Sequence, residues 1–235
     1  MKQENYIRGM IMIILSAFFF ACMNVSVRLA GDLPSVQKSF FRNLVATFFA
    51  AIILIKNHTA PKVEKTQWGS LFLRCAFGTL GILCNFYAID HLLVADASIL
   101  NKLSPFFAII FSFLLLKEKI KPAQAMCVIL AFVGCLFVVK PGFENAHLIP
   151  ALIGVCGGLG AGIAYTMVRK MGTHGVKGPV IVFYFSCFSC IIVIPWIVFH
   201  YQPMSLRQLL TLLLAGLFAA VSYTHLRAHE TCADL

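Results

Sequence analysis

The chain has 235 residues, 60% of them hydrophobic and 12% charged, with a mean hydropathy of +0.88. A soluble domain carries about 25% charged residues, so a water-faced globular domain is excluded and an all-α polytopic membrane protein is expected. The formal net charge of +10 would suggest nucleic acid in a soluble protein. Here the placement of the charges around apolar segments accounts for it, and no nucleic-acid partner is expected.

Apolar segments occupy residues 6–29, 36–55, 68–89, 95–116, 122–139, 148–168, 179–199 and 209–220. The first seven are each about 18–24 residues, enough for a helix to cross a hydrocarbon core of roughly 30 Å. Continuous apolar runs of this length mean helices, which satisfy their backbone groups internally. The first segment is too long for a signal h-region and no small-residue cleavage pattern follows it, so no cleavable leader is expected. The sixth carries Gly154, Gly158 and Gly162, a four-residue spacing that lets another helix approach closely in lipid. The eighth, at about 18 Å of helix, is too short to span.

From Val221 the character changes abruptly to VSYTHLRAHET. This string closely resembles one reading frame of a transposase adapter used to prepare sequencing libraries. Residues 221–235 are therefore expected to be a non-native tail. On that reading the coding sequence is interrupted in its eighth helix, two further helices are missing, and the fragment alone is inactive or poorly folded.

Numbering the loops alternately puts Lys2, Arg8, Lys56, Lys62, Lys65, Lys117, Lys119, Lys121, Arg169, Lys170 and Lys177 on one side. Arg28, Lys38, Lys140 and Arg207 fall on the other. Eleven against four places the N-terminus in the cytoplasm of a multi-pass protein of the cell (plasma) membrane. Trp68 and Trp196 sit near segment ends, as interfacial anchors do. Of nine cysteines, eight lie within or beside apolar segments. Cys187 and Cys190 have redox-motif spacing but lie mid-span, so helix packing is their expected role. No cofactor or metal ion is expected. The sequon Asn57-His58-Thr59 falls on the cytoplasmic side and carries no weight.

After the fifth segment the pattern restarts. With a shift of about 141 positions, Val27-Arg28-Leu29-Ala30-Gly31 falls on Val168-Arg169-Lys170-Met171-Gly172. The same shift places Gln67 on Gln208, Leu71 on Leu212 and Phe77 on Phe218. Five helices are an odd number, so a second copy enters the membrane the opposite way round. Transporters that alternate access around a central site are usually built from such inverted repeats. The expected division is a first repeat at 1–142, the start of a second at 143–220 and the tail at 221–235.

Residues 85–142 carry Tyr87-Ala88 after a polar turn of the third segment, Pro105 inside the fourth and Glu118 just after it. Gly134 follows late in the fifth, and Lys140-Pro141-Gly142 closes the stretch. In order and spacing this resembles the first repeat of the drug/metabolite transporter superfamily, in its EamA branch, and the resemblance extends over residues 6–220. It implies ten helices in two inverted five-helix repeats, here truncated in the third helix of the second repeat. It also implies transport of small metabolites, often outward. Phe20 departs from the Trp that many members carry.

Pro105 deprives the carbonyl of Asn101 of its helical partner and can kink the fourth helix, as a hinge or as a static bend. Glu118, among Lys117, Lys119 and Lys121, suits a loop ion pair better than a gate. Depth counting at ~1.5 Å per residue places Asn24, Arg42, Asn85, Asn101 and Lys102 roughly 6–11 Å below the outer boundary. A basic side chain there should face protein or water. Either Arg42 and Lys102 snorkel towards Asp90 and Asp96, or these residues line a cavity that attracts an anionic group. Tyr165, the shifted counterpart of Asn24, then belongs to the inner half, and Tyr87 adds a hydroxyl or ring face. Arg74, near the cytoplasmic end of its helix, is expected to snorkel.

The reading is a transporter, by direction an exporter, of a small polar metabolite such as an amino acid or organic anion. Its partners are that small-molecule substrate, the lipid bilayer and a second copy in a homodimer. A lipid or lipid-linked flippase is the alternative, separated by a soluble-metabolite flux assay. A membrane receptor or assembly subunit would show no flux. His91 and Asp96 have the spacing of a glycerolipid acyltransferase pair but lie in a short connection with no catalytic domain, so no enzyme activity is expected.

Overall fold

The computed structural model describes the backbone of residues 2–117, 122–139 and 148–233. It describes side chains at 10–11, 14–117, 122–134, 137 and 148–222. Glu118, Lys119, Lys121 and Lys140-Pro141-Gly142 lie outside the described residues. The apolar runs form helices α1 (Lys2–Leu29), α2 (Ser35–Lys56), α3 (Trp68–His91), α4 (Val94–Asn101) and α5 (Ser104–Leu116). Then come α6 (Pro122–Val139), α7 (Leu148–Thr173), α8 (Gly178–His200) and α9 (Leu206–Ala233). No strand occurs among the described residues.

Five stretches are long and apolar enough to cross a membrane, with α4 and α5 counted together, and three shorter apolar stretches cover 14–29, 122–134 and 206–222. Large apolar side chains point outward along these helices, among them Phe18, Ile52, Phe72, Leu114, Ile191 and Phe199. Water would make such a surface aggregate, whereas lipid solvates it. The chain is a polytopic helical membrane protein.

Two expectations need correction. The fourth segment is not one kinked helix. It is broken, with α4 ending at Asn101 and α5 beginning at Ser104. Pro105 sits in the first turn of α5, where its missing N–H costs nothing, rather than in a helix interior. The eighth segment does not stop at Ala220 either, since α9 runs on to Ala233. Ser222, assigned from sequence to the foreign tail, is buried and exchanges hydrogen bonds with Ser16 on α1, the two hydroxyls lying 2.9 Å apart.

Helices α1, α2 and α3 interdigitate with α7, α8 and α9. α3 packs on α7, α1 on α9 and α2 on α8, while α2 also touches α9 and α8 touches α3. The shift of 141 relates the first two pairs. Leu71 and Met171 share one apolar cluster, and their counterparts Leu212 and Ala30 share another. Across α3 and α7 a Cβ on Gly160 would lie 2.8 Å from the carbonyl of Phe77, and in the matching place Phe19 stacks on Phe218 at 6.0 Å. A Cβ on Gly157 would lie 3.2 Å from the carbonyl of Gly81, and their counterparts are the bonded Ser16 and Ser222.

The α4–α5 pair lies against α7, where close approach is set by absent side chains. A Cβ on Gly154 would come 3.0 Å from Leu100, one on Gly158 2.9 Å from the Leu100 carbonyl, and one on Gly162 2.5 Å from Phe107. Near the start of α2, Lys38, counted from sequence among the flanking charges, is fully buried and ion-paired with Asp90. Ser35 bonds the same carboxylate, and Arg28 donates to the carbonyls of Ile89 and Asp90. Three helix ends are thereby tied together, and Asp90 is engaged by Lys38 rather than by Arg42 or Lys102.

Candidate functional site

A cavity opens between α1, α2, α3, α4, α7 and α8, with Arg42, Arg74, Asn85, Asn101 and Tyr165 among its walls. Phe20 and Phe185 supply apolar walls, and no acidic side chain lines it. Its volume is about 50 Å³, room for a few waters and too little for a metabolite. A molecule of metabolite size would fit there only with the surrounding helices further apart.

Arg42 is 2% exposed and reaches the cavity from α2. It donates to Asn43 Oδ1, and Asn43 in turn donates to Ser189 of α8 at 2.8 Å and to Ser39 at 3.2 Å. This buried chain links the guanidinium through Asn43 to Ser189 across the α2–α8 contact. Asn85 is buried on α3 with its Oδ1 lacking a hydrogen-bond partner. An orphaned buried acceptor is costly, so a donor from a bound molecule or water would be favoured there. Asn101 enters from the C-terminal end of α4, where the chain breaks.

The remaining sequence candidates are not all beside it. Asn24, 1% exposed, points to α4 and donates to Ser98 Oγ at 3.1 Å, a helix tie behind the cavity wall. Lys102 is exposed, with its ammonium 5.2 Å from the centre of the Phe20 ring. It therefore sits at the rim, held by a cation–π contact. Tyr87 faces away and stacks on His91 at 4.0 Å. His91 itself bonds the Tyr87 carbonyl at 2.8 Å, so its ring is oriented by its own helix and not by Asp96. Tyr165 lines the central cavity and also a second recess of about 300 Å³ that includes Pro105, Ser112, Thr166 and Arg169. It forms a shared wall between the two spaces.

Sequence reasoning missed Arg74. The side chain does not snorkel. It is 4% exposed, lies 4.0 Å over the Phe185 ring and reaches the cavity. The available signal was Gly78, one turn on, which leaves room for it.

Comparison with known proteins follows the same lines. Residues 7–140 match the model of the EamA-like transporter family. The chain is 32% identical over 231 residues to the pseudopaline exporter CntI of Pseudomonas aeruginosa, covering 95% of this chain and 79% of that protein. It is 27% identical over 161 residues to a riboflavin transporter of Brucella anthropi, covering 67% and 56%. It is 27% identical over 176 residues to solute carrier family 35 member G1 of Homo sapiens, covering 70% and 48%. A protein of known crystal structure, 11% identical, superposes with a TM-score of 0.68 over 94% of this chain and 78% of that one, a likeness of fold alone. The chain belongs to the EamA-like transporter family.

Proposed function

We propose that the protein exports a small polar metabolite bearing an anionic group from the cytoplasm across the cell membrane. One observation carries the anionic preference. Two nearly buried guanidinium groups, Arg42 and Arg74, line one cavity with Asn85 and Asn101, and no carboxylate lines it. A cation within a membrane span is expensive and faces protein interior or water. An anionic group entering between these residues would offset that cost with charge-assisted hydrogen bonds. Arg42, Asn85, Asn101 and Tyr165 would hold the substrate, Lys102 would draw it to the rim, and Asn24 would brace the wall. Tyr87 is the least placed of the candidates to touch it.

The two-half construction supplies the motion. Residues 1–142 and 143–220 would be copies of one five-helix unit, inverted in the membrane, with the N-terminus cytoplasmic. The matched contacts of α3–α7 and α1–α9 support this reading. Rocking one half against the other would expose the cavity to each side in turn. A homodimer is compatible with the outward apolar faces of these helices.

Export of radiolabelled organic anions and matched neutral amides from everted vesicles tests the proposal. Arg42→Gln should reduce flux of the anion at least tenfold and that of the neutral compound little, since a charge-assisted bond contributes about 1.5–3 kcal/mol. Equal flux of the anion by the parental protein and the inserted variant would refute it.

A further inference from the structure

Arg74 is held against the direction its side chain would ordinarily take. It is the sixth residue after Trp68, so its Cα lies about 9 Å into the membrane from the start of α3. Helical side chains lean back towards the N-terminus, which here is the cytoplasmic end. Arg74 should therefore reach back to water at little cost. Instead it runs forward. A Cβ added at Gly78, one turn deeper, would lie 2.1 Å from Arg74 Nη1 and 2.9 Å from Phe185 Cε2. The guanidinium thus occupies the space that a side chain at position 78 would fill, with the Phe185 ring covering it at 4.0 Å. That level is about 15 Å along α3, the middle of a core roughly 30 Å thick. Arg74 is 4% exposed, and its Nε has no hydrogen-bond partner.

We propose that Gly78 and Phe185 form a slot that turns Arg74 inward as a second anion contact, so that the site selects a metabolite with two anionic groups. This rests on the transporter reading above and names its substrate class. Arg42 meets one group from the outer level and Arg74 meets the other at mid-depth. Without the slot, Arg74 relaxes towards the cytoplasmic face and the site becomes one for a single anionic group. Gly78 and Phe185 are positioning residues, while Arg74 touches the substrate.

The test is arginine modification by p-hydroxyphenylglyoxal on the full-length protein in everted vesicles, read at the Arg74 peptide by mass spectrometry. Parental Arg74 should react slowly. Gly78→Ala should raise its rate at least tenfold, because the atom the new methyl displaces is the free end of a flexible side chain and not backbone. Phe185→Leu, which opens the slot without crowding it, should do the same and guards against a misfolded alanine variant. Glutarate should slow modification of parental Arg74 several-fold, whereas butyrate and glutaramide at equal concentration should not. Unchanged reactivity in both variants overturns the slot. Glutaramide protecting as well as glutarate, or glutarate failing to protect, overturns the two-anion selection. Neither readout requires flux, so a failure of the transport proposal would appear separately, as absent export with the reactivity differences intact.

Discussion

Gly162 and Gly134 are the same residue type in neighbouring helices with opposite surroundings. A Cβ at Gly162 would meet Phe107 Cβ at 2.5 Å, the Ala108 nitrogen at 3.0 Å and the Ser104 carbonyl at 3.0 Å. Two of those atoms belong to the α5 backbone and cannot step aside without moving the helix. A Cβ at Gly134 would meet nothing within 4 Å. Gly162→Val should therefore destabilise the bundle by about 1–3 kcal/mol through overpacking. Gly134→Ala should be neutral or stabilise it by up to about 1 kcal/mol through helix propensity. Thermal unfolding of detergent-solubilised protein, followed by tryptophan fluorescence, measures both, and an equal melting temperature for the two variants would contradict the α5–α7 packing. The four-residue glycine spacing was legible in sequence because it depends on periodicity alone. The direction of the Arg74 side chain was not, because it depends on Phe185, which is distant in sequence.

At the scale of the helix, depth could be counted but rotation could not. Counting from segment ends found Arg42, Asn85 and Asn101, which the fold brings to one cavity. The same count included Asn24, whose amide turns to Ser98, and Tyr87, expected to add a hydroxyl or ring face, turns its ring to His91. The break in the fourth segment was half legible. Pro105 signalled a disturbance, but the chain parts before it, at Lys102 and Leu103, between two helices of 8 and 13 residues. That break presents Asn101 to the cavity and Lys102 to its rim. Pro105→Ala restores the N–H that can bond the Asn101 carbonyl and makes one continuous helix accessible. The expected outcome is a several-fold fall in export with unchanged or slightly raised thermal stability, because a discontinuous helix is exchanged for a regular one. Parental export rates in a correctly inserted Pro105→Ala protein would show that the break does not depend on the proline.

Across the whole molecule, a numerical shift read from sequence predicts spatial partners. Leu71 with Met171 and Leu212 with Ala30 form equivalent contacts, as do Gly81 with Gly157 and Ser222 with Ser16. Such equivalence is what a duplicated unit gives when its first copy interlocks with its second. Charge counting was a coarser guide. It counted Lys38 as a flanking charge on one side of the membrane, whereas that side chain is fully buried in α2 against the half-buried carboxylate of Asp90. The proposed inversion makes a sharp prediction. Asp32, just after α1, and Thr173, at the end of α7, are both exposed and are related by the same shift of 141. In a parallel duplication they would lie on one side of the membrane. In the proposed inverted arrangement, with an odd number of crossings between them, they would lie on opposite sides, Asp32 outside and Thr173 in the cytoplasm. Single cysteines at these positions in a cysteine-free full-length protein, treated with a membrane-impermeant maleimide, should label in intact cells at Asp32→Cys and only after permeabilisation at Thr173→Cys. Labelling of both from the same side would remove the inverted repeat and with it the structural basis for alternating access.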